Sequence, residues 1–223
     1  MSHPGRMSSA HWPLFDLVVR TPRLELRYPD EDLLSQLAEL ATGPIHPPEM
    51  MPFSNSWSDV GPEERARATL QFNWTLRGAW STDSWNCSLV TVVDGRVVGN
   101  QGIVAKDYKR TRTVETGSWL GMTHQGQGIG TEMRAAVVHL AFAGLGADRC
   151  ESGAFDDNDR SLGVSRRLGY VENGDAVVAR RDGAGRIVKL LLSRETWEQQ
   201  RRDDISIEGL APCLEMFGVS PSG

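Results

Sequence analysis

The sequence has no apolar run approaching the ~20 residues needed to cross a bilayer. Its opening Met1-Ser2-His3-Pro4-Gly5-Arg6 lacks the apolar segment of a secretory signal. A cytoplasmic protein without membrane attachment is expected. Cysteine is scarce: Cys87, Cys150 and Cys213 are odd in number and scattered, which argues against a disulfide framework and against a zinc site. No metal is expected. Basic charge is not in excess either, with 24 Lys and Arg against 29 Asp and Glu for a formal net charge of −5. That excludes a general nucleic-acid or membrane-surface binder and mildly favours a basic acceptor. Internal repeats and low-complexity linkers are missing too, so the 223 residues read as one large domain with short extensions. The boundaries expected are 1–13 for a flexible N-terminal extension, 14–200 for the domain and 201–223 for a C-terminal tail.

The most distinctive stretch present is His124-Gln125-Gly126-Gln127-Gly128-Ile129-Gly130-Thr131-Glu132. Three alternating glycines follow a strand pattern (Val114, Thr116, Trp119, Leu120) and precede a helical one (Ile129, Met133, Ala136, Val137, Leu140, Ala141). They therefore open a helix. The N–H groups of its first turn lack intrahelical partners, and its dipole adds about half a positive charge, so the turn can hold phosphate without a basic side chain. Glycine lets the backbone approach such a ligand closely. No Gly-Lys-Ser/Thr closes the loop, which excludes a P-loop, and its place past mid-chain excludes the first turn of a dinucleotide fold. The plainer alternative is a turn that merely needs positive φ.

Around it the pattern is mixed α/β. A strand through Leu24 and Leu26 leads to a helix carrying Leu33, Leu34, Leu37, Leu40 and Ala41, ended by Gly43-Pro44. A proline-rich apolar loop with Met50, Met51, Phe53 and Trp57 follows, then a helix from Pro62 with Ala66, Leu70 and Trp74 on one side. Leu89 to Val93 and Val97 to Ile103 flank Asp94-Gly95, a hairpin-turn dipeptide. After the long helix come a strand from Cys150 to Phe155, a short helix from Ser161 to Leu168, and a hairpin of Val177 to Arg180 with Ile187 to Leu192. In the tail, Ile205, Ile207, Leu210, Leu214, Met216 and Phe217 have the character of buried residues, expected against a partner subunit. A homo-oligomer is the corresponding expectation.

Gln125-x-x-Gly128-x-Gly130 resembles the acyl-coenzyme A signature of the GNAT N-acetyltransferase family. Asn158-Asp159-Arg160-Ser161 followed by Arg167-Leu168-Gly169-Tyr170 resembles that family's second motif, and Thr21-Pro22-Arg23-Leu24-Glu25-Leu26-Arg27 resembles the first strand of its ribosomal-protein-alanine N-acetyltransferase branch. The resemblance covers roughly residues 14 to 195 and is strongest to actinobacterial members, some of them users of succinyl-coenzyme A. It implies an α/β (α+β) GNAT fold: a central, mixed, mostly antiparallel sheet of about seven strands, splayed at its centre, with helices on both faces. The implied activity is direct transfer of an acyl group from coenzyme A to a primary amine of a small molecule or protein in a ternary complex. Succinyl-coenzyme A is the favoured donor and acetyl-coenzyme A the rival. A non-catalytic coenzyme A-binding module is the rival of another class.

Acceptor type sets the chemical demand. At pH 7.4 an α-amine of pKa near 7.8 is about a quarter neutral, whereas a lysine amine near 10.4 is about one part in a thousand neutral. Many family members place a tyrosine acid seven residues after the asparagine, but here that position is Ser165. The branch points instead to Ser161 as the acid, a serine that could equally cap its helix. Glu115 is the carboxylate in the strand leading to the turn and is the expected base; His124 is a weaker candidate. The backbone N–H of Leu120 would polarise the acyl carbonyl. The resemblance assigns coenzyme A binding to Trp119, Leu120, Gln125, Gly126, Gln127, Gly128, Ile129, Gly130, Thr131, Asn158, Ser161 and Ser165, with Trp119 equally readable as core. Met51, Phe53 and Ser54 are expected at the acceptor and acyl pocket, with Gln101, Lys106 or Ser54 meeting a succinyl carboxylate. Arg134, Arg166 and Arg167 would meet the 3′-phosphate or simply face solvent.

Overall fold

The computed structural model describes residues 10–220; the first nine residues of the expected N-terminal extension lie outside them. A turn of 3-10 helix at Pro13–Asp16 leads into two short strands, β1 (Val18–Arg20) and β2 (Glu25–Arg27), paired antiparallel. Helix α1 (Glu31–Thr42) starts where the Asp30 side chain accepts the Leu33 N–H, and it buries Leu34, Leu37, Ala38 and Ala41. Helix α2 (Pro62–Gly78) opens on proline, whose missing N–H would be unpaired there anyway. Strands β3 (Trp85–Val93) and β4 (Arg96–Ala105) meet at Asp94-Gly95, both residues at positive φ (49° and 75°), the two-residue turn whose twist suits a hairpin. One helical turn, α3 (Tyr108–Thr111), precedes β5 (Thr113–Leu120). Then come α4 (Ile129–His139), running into a π-helical turn at Leu140–Gly144, β6 (Arg149–Phe155) and α5 (Asp159–Arg167). The chain continues through β7 (Val171–Arg180), β8 (Gly183–Ser193), α6 (Arg194–Gln199) and β9 (Ser206–Glu208).

The nine strands form one sheet in the order β7-β8-β6-β5-β4-β3-β2-β1-β9. Neighbours are antiparallel except β5 with β6, and that parallel ladder holds only from Thr113–Thr116 against Arg149–Ser152. Beyond it, β5 continues to Leu120 and β6 to Phe155 with no ladder between them, so the sheet parts at its centre. The mixed, mostly antiparallel sheet expected is present with nine strands among the described residues rather than about seven, because β1 adds a strand paired antiparallel to β2 and the tail adds β9. Helices cover both faces. On one, Met133, Ala136 and Val137 of α4 and Leu140 of the π-helical turn pack with Val19, Leu26, Leu89, Ile103 and Val114 of the sheet; on the other, Leu34 and Leu37 of α1 pack with Val90, Val92 and Val97.

Two expectations about burial are overturned. On α2, Leu70 packs on the α1 cluster but Trp74, expected on the same side, is 48% exposed, and the buried residues are Thr69 and Asn73. The tail does not wait for a partner subunit. Phe217 is fully buried with its ring 4.8 Å from Trp85 and 5.4 Å from Trp80, and its carbonyl accepts the Trp85 indole N–H at 3.1 Å. Leu210, Leu214 and Met216, partly buried, pack on the same core.

His139, at the end of α4, is buried against Trp197 of α6, with its Nδ1 unpartnered. Burial and the nearby Arg201 lower its pKa despite Asp203. The folded state therefore resists protonating it. The stability it permits is complete above the ordinary histidine pKa of about 6.5 and falls as pH drops below that, because the unfolded chain binds the proton first. His139→Phe, which keeps a ring on Trp197 and removes the unpaired nitrogen, should melt close to wild type at pH 7.5 and lose less between pH 7.5 and 5.5. Equal losses over that interval would remove His139 as a source of acid sensitivity.

Candidate functional site

The glycine turn has the geometry its sequence demands. Gly126 and Gly128 lie at φ 74° and 80°, where L side chains are strained, and Gly128 caps α4 without any side-chain acceptor. The Glu132 N–H bonds back to the Gly128 carbonyl, leaving the N–H groups of Ile129, Gly130 and Thr131 without intrahelical acceptors. The Thr-Pro-Arg segment braces this turn from below. Glu132 accepts hydrogen bonds from Thr21 Oγ1 (2.6 Å), Arg23 Nε (2.5 Å) and the Arg23 N–H (3.2 Å), while Arg23 Nη1 donates to the Gln127 carbonyl at 3.1 Å. Burial pushes the Glu132 carboxyl up, but these donors outweigh it and hold it below the usual range.

The parting of β5 from β6 makes the cleft. The Gly121 N–H donates to the Val98 carbonyl, which fixes the phase of the β4–β5 ladder; the N–H groups of Ser118 and Leu120 then face away from β4, into the gap. A cavity of about 1030 Å³ occupies this gap. Its lining includes Gly126, Gly128, Gly130 and Thr131 of the turn, Arg134 of α4, and Asn158, Ser161 and Arg167 of α5 or its cap. On the opposite face of the sheet it is walled by Asn86, Ser88, Asn100, Glu115 and Trp119, by Thr69, Phe72 and Asn73 of α2, and by His46, Phe53, Ser54 and Trp57 of the loop between α1 and α2. This explains the polar inner stripe of α2, which faces the cavity.

The loop is fastened from two sides. Arg65 donates to the carbonyls of Ala41 (2.5 Å), Thr42, Gly43 and Ser58, joining the end of α1 to the loop. At the β7–β8 turn, Arg181 makes two 2.8 Å bonds to Asp59, and Arg180 reaches the Met51 carbonyl and Asp157. The Arg181 hydrogen bonds hold the Asp59 carboxyl below its ordinary value.

Several expected residues meet here. Glu115 is exposed on the loop-side wall, at the last stretch of ladder before the strands part. Ser161 lines the cavity from the first turn of α5; the cap of that helix is Asn158, whose Oδ1 accepts the Ser161 N–H at 3.2 Å, so the serine hydroxyl is not the cap. The Trp119 ring serves both readings, packing on the α1 cluster and 5.6 Å from Trp57 while forming cavity wall.

Other expectations are corrected. Gln125 lines the cavity with its side chain already engaged: Nε2 donates to the carbonyls of Ile45 (2.7 Å) and Leu120 (2.9 Å), and Oε1 accepts from Arg160. The Gln127 side chain bonds the Thr123 carbonyl, and Ile129 is core. Ser165 is fully buried outside the cavity wall, its hydroxyl unpartnered. Met51 is buried with its sulfur facing Ser58. Gln101 lies fully buried, donating to the Gly102 and Gly117 carbonyls, and Lys106 is exposed beyond the end of β4; neither reaches the cavity. Arg166 pairs with Glu172 at the surface. Arg134, expected at a phosphate or in solvent, is only 4% exposed and lies inside. Unforeseen wall residues are Ser118, Asn73, Asn100 and His46, whose Nε2 lies 2.8 Å from Ser58 Oγ. No cluster of three or more His, Cys, Asp or Glu suited to a metal ion occurs among the described residues, and no helix among them is long and apolar enough to cross a membrane.

Comparison with solved structures returns the same architecture. RimJ from Mycobacterium smegmatis, in complex with a coenzyme A disulfide, superposes with a TM-score of 0.64 at 18% identity, covering 91% of this chain and 95% of that one. RimL, a ribosomal L7/L12 alpha-N-protein acetyltransferase in complex with coenzyme A, gives 0.61 at 17% identity, covering 79% and 97%. A GNAT-family acetyltransferase from Bacillus anthracis gives 0.63 at 15%, covering 80% and 99%. At these identities the likeness shows the fold. The sequence profile of the acetyltransferase (GNAT) domain matches residues 23–171, from the arginine that braces the glycine turn to the first residue of β7. With the free-ended glycine turn and the parted strands inside that match, the chain belongs to the GNAT acetyltransferase family and is an N-acyltransferase.

Proposed function

We propose that this protein transfers an acyl group from acyl-coenzyme A to a primary amine by direct attack, in the cytoplasm. The observation that carries the reading is a single cavity joining an anion-binding turn to Glu115 and Ser161 through the gap between β5 and β6. The free N–H groups at Gly130 and Thr131 fit a diphosphate, and the unladdered edge of β5 fits an extended amide chain. Bound there, acyl-coenzyme A supplies an activated carbonyl and a thiolate leaving group. The Leu120 N–H stabilises negative charge developing on the carbonyl oxygen. The Glu115 carboxylate takes the proton from the acceptor nitrogen, directly or through one water, and Ser161 Oγ gives one to the departing sulfur while taking one from solvent water. The acceptor enters over the wall formed by α2 and the loop before it. Among donors we favour succinyl- over acetyl-coenzyme A, because Arg134 lines the cavity without any carboxylate at ion-pair distance among the described residues. The RimJ and RimL likenesses add a protein α-amine to small amines as an acceptor to test.

Thermal unfolding in excess coenzyme A, acetyl-coenzyme A and succinyl-coenzyme A tests the site. At a hundredfold over the dissociation constant a ligand adds about 2.7 kcal/mol, a rise of roughly 5–11 °C for a chain of this size. A larger rise with succinyl-coenzyme A supports that donor, equal rises make acetyl transfer the lead, and no rise with any ligand overturns the proposal.

A further inference from the structure

We infer that Arg134 is the residue that selects the acyl group: its guanidinium receives the terminal carboxylate of a dicarboxylic acyl chain bound in the gap between β5 and β6. The inference rests on the reading of this cavity as an acyl-coenzyme A site.

The Arg134 side chain leaves α4 and lies across the point where the strands part. Nη1 donates to Ser152 Oγ on β6 at 2.8 Å, Nη2 donates to Ser118 Oγ on β5 at 3.3 Å, and the buried Nε has no partner. The other arginines of the lining are differently placed: Arg160 donates to Gln125 Oε1 and Arg167 is exposed on α5, while outside the lining Arg23 holds Glu132, Arg180 holds Asp157 and Arg181 holds Asp59. Arg134 has only hydroxyl partners. The other titratable groups on its side, Cys150 and Tyr170, face each other at 3.0 Å. Burial pushes the thiol up to about 11 and the phenol well above its ordinary value, so neither supplies an anion. A buried guanidinium with neutral partners and an unbonded N–H is costly to fold around, and a carboxylate that arrives with the ligand would remove the imbalance.

The spacing suits a short diacid. Ser118 and Leu120 are two residues apart, about 6.6 Å along β5. A carbonyl held at the Leu120 N–H leaves room for a two-carbon spacer before a carboxylate at the level of Ser118 and Arg134, whereas an acetyl methyl stops short. Glu115 projects from the opposite face of β5 to Thr116 and Ser118, so the acceptor's base does not neutralise Arg134.

Calorimetric titration of the full chain with coenzyme A, acetyl-, butyryl- and succinyl-coenzyme A decides the matter without a known acceptor. Butyryl has the carbon count of succinyl and no charge. The wild type should bind succinyl-coenzyme A about tenfold or more tightly than butyryl-coenzyme A, the range of a charge-assisted hydrogen bond. Arg134→Gln should erase that preference, weakening succinyl-coenzyme A far more than acetyl-coenzyme A, and Arg134→Lys should retain part of it. Equal wild-type affinities for succinyl and butyryl overturn the inference; so does an Arg134→Gln protein that weakens all ligands alike, which would make the arginine only a brace between strands. Should Arg134→Gln fail to fold, Arg134→Lys decides: a succinyl preference equal to that of the wild type overturns the inference. Absence of binding by unacylated coenzyme A as well would instead sink the underlying reading of the cavity.

Discussion

Gly128→Val is expected to leave a folded protein that no longer responds to coenzyme A. Gly128 sits at φ 80°, where an L residue is strained by about 1–2 kcal/mol and a β-branched one by more. A Cβ there would also stand 3.1 Å from Arg23 Nη2, the guanidinium that holds Glu132 and the Gln127 carbonyl. The backbone has to rotate to relieve both, and the N–H groups of Gly130 and Thr131 turn with it. Stability should drop by a few degrees in Tm, at about 2–4 °C per kcal/mol, because Met133, Ala136 and Val137 remain packed on the sheet. Binding should drop much further, since the anion site consists of those N–H groups. Gly78→Ala, where an added Cβ meets nothing, is the control and should keep the full thermal shift. A Gly128→Val protein with an undiminished shift would show that the ligand is anchored elsewhere.

The glycine turn and the Asp94-Gly95 hairpin were legible because a left-handed backbone leaves its mark on residue type. The inner face of α2 was not. Its apolar Trp74 is exposed while its polar Thr69 and Asn73 are buried, because the inner face borders a cavity rather than a core. Periodicity assumes that what is buried is apolar, and it fails where a helix lines a site. Arg134 was misplaced for a related reason. It follows Met133 on α4, and a one-sided helix would have carried it to solvent. Yet Ala135, Ala136, Val137 and Val138 run without a polar break, the mark of a helix covered all round, and an arginine inside such a run is buried with its neighbours. That signal was available in the sequence. The positions of Met51, Gln101 and Lys106 were not, since nothing in a loop or a strand end fixes which way a side chain turns until the neighbouring strands are in register. The tail shows the same limit: its apolar residues declared that they needed cover, but only the fold shows that Trp80 and Trp85 of the same chain provide it.

Ser161→Ala and Glu115→Gln should each lower turnover by about 10²–10⁴-fold near neutral pH, the usual contribution of a positioned acid or base, and their pH dependences should differ. The Asn158 cap uses the backbone N–H of Ser161, so losing the hydroxyl leaves α5 capped and the coenzyme A shift unchanged. What is lost is a proton for the departing sulfur. A thiol of pKa about 8.5 leaves readily as thiolate once the pH exceeds that value, so the Ser161→Ala deficit should be largest below pH 7 and shrink above 8.5. Glu115 answers a different need, removal of a proton from the acceptor. Its deficit should close as the amine deprotonates unaided, near pH 8 for an α-amine but only above pH 10 for a lysine amine. The pH at which Glu115→Gln approaches wild type should therefore follow the pKa of the amine in the assay, lower with an α-amine than with a lysine amine; a crossover that does not move between the two would remove Glu115 as the base. A Ser161→Ala enzyme with wild-type turnover across the whole range would remove the serine from the proton path and leave bulk water to protonate the sulfur.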